Sequence, residues 1–117
     1  VACRHGNALA FPTIATTQRQ VLHNHGFIHM LNDGDIFLLD AGAETQSHYA
    51  GDLSSSMPVG EKFTQRQAEV YNIHLASFQA AVDKLQLGVP FREAHIAAAT
   101  KIAEGMKDLG LMKGDPA

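Results

Sequence analysis

An apolar run of four residues, Ile36-Phe37-Leu38-Leu39, closes on a carboxylate, Asp40, and turn-forming stretches bound it, Asn32-Asp33-Gly34 before and Thr45-Gln46-Ser47 after. Such a run is too short for a helix and fits a buried strand that delivers Asp40 to a site. The following segment, His48-Tyr49-Ala50-Gly51-Asp52-Leu53, can return antiparallel to it. With the turn centred on Gln46, Asp40 faces Asp52 directly across the hairpin. Opposed residues on one face have Cβ atoms about 4.5 to 5.5 Å apart, and like charges placed that way destabilise a sheet. A shared proton or a hard divalent cation would offset that repulsion. A register slipped by one residue would send one carboxylate to the other face and remove the need for either. The plainer alternative is a pair of strand-end aspartates that cap turns.

Composition narrows the classes. The chain has 117 residues, 45% of them hydrophobic, and a formal net charge of -3. That fits at most one domain of ordinary soluble composition with a modest core. No apolar stretch approaches the ~20 residues of a membrane span and no signal-peptide pattern opens the chain, so a cytoplasmic protein is expected. The single cysteine, Cys3, cannot form an internal disulfide, which fits a reducing compartment, and its plain role is a small, partly buried residue. The slightly acidic balance and the lack of a basic cluster give nucleic-acid binding no electrostatic support. Both ends read as cut, since Val1 is not an initiator methionine and no element is completed at Gly114-Asp115-Pro116-Ala117. A piece of a longer catalytic domain is expected.

Phe11 to Thr17 is rich in strand formers, and Pro12 confines it to an edge or a strand start. Val21-Leu22 leads to His23, His25 and His29, and the His-x-His spacing suggests metal binding until Gly26, which favours a loop. His25, His29, His48, His74 and His95 read as loop, peripheral, core or exposed histidines, and Glu44 as facing solvent or pairing near the turn. Thr64-Gln65-Arg66-Gln67 is a capping box that starts a helix. Its apolar stripe runs through Val70, Ile73, Phe78, Ala81, Val82 and Leu85, and Gly88 is the expected stop. Pro90 precedes a second helix, predicted over Phe91 to Leu109, with Ile96, Ala97, Thr100 and Ala103 turning round it and Gly110 ending it. Ala97-Ala98-Ala99 permits close packing, and Gly105 is a weak point or a contact. A hairpin with two long helices is an α+β arrangement.

Read together in their order, Phe11-Pro12-Thr13-Ile14, Val21-Leu22-His23, Gly34-Asp35, Leu39-Asp40-Ala41-Gly42-Ala43-Glu44, Tyr49-Ala50-Gly51-Asp52-Leu53, Met57-Pro58-Val59 and Gly60-Glu61-Lys62-Phe63-Thr64 resemble the pita-bread metallopeptidases. That family holds methionine aminopeptidase, aminopeptidase P, prolidase and creatinase, and the likeness is closest to the Xaa-Pro aminopeptidase and prolidase branch. The resemblance implies that residues 1–117 are the N-terminal part of a catalytic domain with a partial pita-bread fold. It implies that Asp40 and Asp52 are metal ligands, the first chelating one ion and the second bridging two, and that His23 hydrogen-bonds substrate or the tetrahedral intermediate. Two divalent ions are implied, Mn²⁺ as the first expectation, with Co²⁺, Zn²⁺ or Fe²⁺ as alternatives. The implied activity is hydrolysis of an N-terminal peptide bond of a peptide or dipeptide, by a hydroxide held between the ions. A homodimer is compatible with this.

Two departures stand out. The hairpin is one residue longer than the family pattern, through a bulge near Ser47-His48 or a longer turn. The family's Asp-Ile-Thr-Arg-Thr is here Asp52-Leu53-Ser54-Ser55-Ser56, so the arginine is missing. The family's remaining ligands, a histidine and two glutamates, have no match, and the chain alone is expected to be inactive. The alternatives are a binding module on the same scaffold without metals and a creatinase-like amidine hydrolase. A facing carboxylate pair counts against both.

Overall fold

The computed structural model describes residues 4, 6–17, 23 and 26–115, so Cys3, Val21, Leu22 and His25 lie outside the described residues. The chain divides into two compact units, Val1–Phe63 and Thr64–Ala117.

Among the described residues the first unit holds an antiparallel sheet of three strands, β1 (Ile14–Thr16), β2 (Ile36–Ala41) and β3 (Leu53–Pro58), in the order β1-β2-β3. The apolar run takes the middle place and is half-buried along its whole length, while the serine-rich β3 is mostly exposed. In β1 the β-branched Ile14 and Thr16 share one face and are only 4% and 3% exposed. Pro12 sits just ahead of this edge strand, where its missing N–H removes no ladder bond. Upstream of it, Leu9 pairs with Ala43, and Ala10 N–H donates to the Gly42 carbonyl at 3.0 Å. From Leu9–Ala43 to Ile14–Asp40 the N-terminal side uses five steps and β2 three, so Phe11-Pro12-Thr13 bulges out of the ladder. Asn32 to Asp35 forms the predicted turn, with Asp35 N–H donating to the Asn32 carbonyl at 3.0 Å.

The second unit is a pair of helices, α1 (Gln65–Lys84) and α2 (Phe91–Asp108), packed on each other. The capping box forms as predicted: Gln67 N–H donates to Thr64 Oγ1 at 3.3 Å and Thr64 N–H to Gln67 Oε1 at 2.8 Å. α1 stops at Lys84 with Leu85 as its cap, four residues before the expected stop, because Leu85 N–H already turns back to the Val82 carbonyl. α2 ends as predicted at Gly110, whose φ is 69°; Gly110 and Leu111 N–H donate to the Lys107 and Met106 carbonyls, a Schellman closure. The packed face differs from the predicted stripe. Ser77 and Ala94 are buried, whereas Val70, Phe78 and Val82 are 41%, 54% and 41% exposed. Ile73 of the predicted stripe does pack between the helices, against Gly105, where an added Cβ would lie 2.5 Å from Ile73 Cγ1. The elements together make the expected α+β class.

Candidate metal centre

Asp40 lies in the middle strand, with Ile14 across from it on β1 and Ser54 across from it on β3. The register of β2 and β3 continues past the strand ends, through Ala41–Leu53, the Gly51 N–H bond to the Ala43 carbonyl at 2.9 Å, and the Glu44–Ala50 bridge. Asp52 therefore stands opposite Gly42, and the expected direct Asp40–Asp52 opposition is corrected by two residues.

The cause is the turn. Thr45 N–H donates to the Tyr49 carbonyl at 2.9 Å and His48 N–H to the Thr45 carbonyl at 3.0 Å, closing a three-residue loop, Gln46-Ser47-His48. His48 takes the left-handed conformation, φ 65°, that such a loop needs at its bulge. The reversal is thus centred on Ser47, one residue later than expected, and both sequence-level options for the longer hairpin are realised at once.

A shift of two keeps both carboxylates on one face, where a shift of one would have separated them. Asp40 and Asp52 become diagonal neighbours, about 7 to 8 Å apart at the backbone and within side-chain reach. Repulsion between them is weaker than for a directly opposed pair. The need for a counter-ion comes instead from burial. Oδ1 of Asp40 is buried and has no hydrogen-bond partner among the described residues. Its neighbour across β1 is the apolar Ile14, which has no donor to offer. An unpartnered buried polar atom costs about 1 to 3 kcal/mol, and more when charged.

Asp40 also lines a cleft of about 350 Å³, together with Phe11, Pro12, Ile14, His23 and Asp52. All three sequence-predicted site residues are thus brought together. Carboxylate oxygens are the donor type that hard divalent ions take, and two of the three polar residues of this cleft are carboxylates. Among the described residues no group of three or more His, Cys, Asp or Glu side chains is close enough to enclose a metal ion.

The other candidates are elsewhere. By strand alternation Glu44 shares the side of Asp40 but lies about 13 Å further along. It is engaged with His48 Nδ1 at 3.0 Å and with the Asn7 amide at 3.0 Å. His48 is at the hairpin tip, and His74 and His95 are exposed on the helices. Ser54 and Ser56 share the carboxylate face, while Ser55, at the family's arginine position, points to the opposite one. Its loss leaves the metal face unchanged. Sequence reasoning gave no cleft role to Phe11, Pro12 or Ile14. Only the pairing of β1 with β2, across 26 residues, shows that they wall the site.

Known proteins resemble this chain in sequence and in fold. The model of the metallopeptidase family M24 matches residues 2–114. The chain is 38% identical over 95 residues to the Xaa-Pro aminopeptidase of Haemophilus influenzae, covering 81% of this chain and 22% of that protein. It is 38% identical over 85 residues to the Xaa-Pro aminopeptidase of Escherichia coli, covering 73% and 19%. Among solved structures, Pseudomonas aeruginosa aminopeptidase PepP superposes with a TM-score of 0.86 at 32% identity, over 95% of this chain and 25% of that one. Zinc-substituted E. coli aminopeptidase P in complex with product gives 0.85 at 33% identity, over 97% and 26%. The chain thus spans about a fifth to a quarter of the length of the proteins it matches.

Proposed function

This chain belongs to the metallopeptidase family M24, and from that premise we propose that it supplies Asp40, Asp52 and His23 to an enzyme that hydrolyses N-terminal Xaa-Pro peptide bonds. The observation that carries the proposal is the cleft that Asp40 lines together with a second carboxylate, Asp52, and a histidine, His23. Residues 1–117 are the N-terminal part of the catalytic domain in this reading.

Asp40 and Asp52 hold divalent ions, Mn²⁺ first among them, and such ions polarise a carbonyl and make water nucleophilic near neutral pH. Asp40 is fixed by the middle strand and has little freedom to follow a misplaced ion. Asp52 enters from the neighbouring strand end. His23, on the exposed rim of the cleft, is placed to hydrogen-bond the substrate and orient its scissile carbonyl. Phe11, Pro12 and Ile14 give the cleft an apolar wall that excludes water from that bond.

Two carboxylates bind a divalent ion weakly, so the chain by itself is inactive and the other ligands come from the rest of the catalytic domain. Strong exposure of Phe27, Ile28 and Met30, at 70%, 83% and 81%, supports that view, because apolar surface of this kind is normally covered. The test is Mn²⁺ binding by calorimetry and cleavage of an Xaa-Pro peptide by the full-length protein, with Asp40→Asn and Asp52→Asn beside it. Each substitution is expected to abolish tight binding and turnover together. Unchanged Mn²⁺ affinity in both variants would refute the ligand assignment, and a wild-type protein that neither binds Mn²⁺ nor cleaves the peptide would leave a metal-free module on this scaffold as the answer.

A further inference from the structure

We infer that Gly42 is a positioning residue of the metal site: having no side chain, it lets the Gly51–Asp52 backbone come close enough to set Asp52 beside Asp40. The inference rests on the metallopeptidase reading above. Gly42 is two residues beyond Asp40 on β2's path and directly across from Asp52 in the continued register. A side chain at position 42 would point into the backbone of the neighbouring segment at Gly51.

The Gly51 carbonyl already takes that place. A Cβ built on Gly42 would lie 1.7 Å from the Gly51 oxygen, 2.6 Å from its carbonyl carbon and 3.1 Å from Cε1 of Phe11. Two of these three contacts are backbone atoms, which cannot swing aside as a side-chain tip can. The third belongs to a wall of the same cleft.

Relief therefore requires the strands to part by well over 1 Å at the residue that precedes Asp52. Metal–ligand distances hold to within about 0.2 Å of their usual values, so a displacement of that size in a ligand's backbone has to be absorbed elsewhere. Gly42→Ala thus acts on the metal through Asp52, with no contact to the ion itself. At Gly51 the same change is milder, since its Cβ would meet the Ala43 oxygen at 3.0 Å.

The experiment measures Mn²⁺ binding to the full-length protein by calorimetry and by the electron paramagnetic resonance spectrum of the bound ion, with Gly105→Ala as a control in the helical unit. Gly42→Ala is expected to raise the Mn²⁺ dissociation constant about 10- to 100-fold, as loss of outer support for a ligand does. The Mn²⁺ concentration that half-restores activity should shift by the same factor, and the spectrum should change. Gly105→Ala should alter stability and leave Mn²⁺ affinity alone. Affinity within twofold of wild type in a folded Gly42→Ala protein overturns the inference. If Gly42→Ala does not fold, Gly51→Ala decides: a smaller rise in the dissociation constant supports the inference and none overturns it. Asp40→Asn separates the two claims. Loss of binding there with normal binding in Gly42→Ala defeats only the positioning role, whereas normal binding in Asp40→Asn defeats the metal reading itself.

Discussion

Replacing Asp40 by alanine should shift stability in opposite directions with and without divalent metal. In the metal-free protein the side chain buries an oxygen that no described residue satisfies. Removing such a group relieves about 1 to 3 kcal/mol of desolvation. Truncation keeps Cβ and gives up only the packing contacts of the carboxyl group, which offsets part of that gain. The balance is a gain of about 1 kcal/mol in the presence of EDTA. Under saturating metal the sign reverses. At free Mn²⁺ 100 times its dissociation constant the wild-type protein gains about 2.7 kcal/mol from binding, and a variant that cannot bind gains nothing. Relative to wild type, Asp40→Ala should therefore move from about +1 to about -2 kcal/mol across a Mn²⁺ titration. Native-state hydrogen exchange of the β2 amides in the full-length protein reads this locally. Clear destabilisation in EDTA would mean that Oδ1 is satisfied in solution and that the argument for a cation fails at its root. Equal stabilisation of both proteins by Mn²⁺ would refute the ligand assignment.

The remaining predictions concern the histidine and the helical unit. His23→Ala should lower kcat on an Xaa-Pro peptide about 100-fold, the scale of a lost positioning or proton-transfer contact, with Mn²⁺ affinity within twofold of wild type; a parallel loss of metal would make His23 a ligand. Gly105→Ala should destabilise α1 and α2 by about 1 kcal/mol, because over-packing against the stiff Ile73 outweighs the ~1 kcal/mol of helix propensity gained. In an Ile73→Ala background the same change should become stabilising, so denaturant unfolding of the two singles and the double gives the sign. Thr64→Ala should cost about 1 kcal/mol through loss of the capping box, seen as faster exchange in the first turn of α1.

The local features of this chain were legible because their causes lie within a few residues. Thr64 and Gln67 are three apart and cap each other whatever surrounds them. The apolar run with Asp40 at its end made a strand, and Gly110 closed α2. The apolar stripe of α1 was misread for the opposite kind of reason. Periodicity marked Ile73 correctly, which packs against Gly105, but it also marked Val70, Phe78 and Val82, which are exposed while the small Ser77 and Ala94 are buried.

The candidate site was legible in its residues and not in its geometry. Asp40, Asp52 and His23 could be named from motif order, and the three do line one cleft. Their arrangement could not be derived, since hairpin register depends on the conformation of the loop. A left-handed His48 lengthens the turn and moves Asp52 from Asp40 to Gly42.

What the sequence determined by itself was the alternation that puts two carboxylates on one side of a ribbon, a parity that survives any shift by an even number of residues. What the tertiary structure decided was the offset of that ribbon, the wall that β1 brings from 26 residues upstream, and the stranding of one carboxylate oxygen away from every donor among the described residues. Parity is a property of a single strand. Offset, enclosure and desolvation arise only when distant segments compete for the same volume.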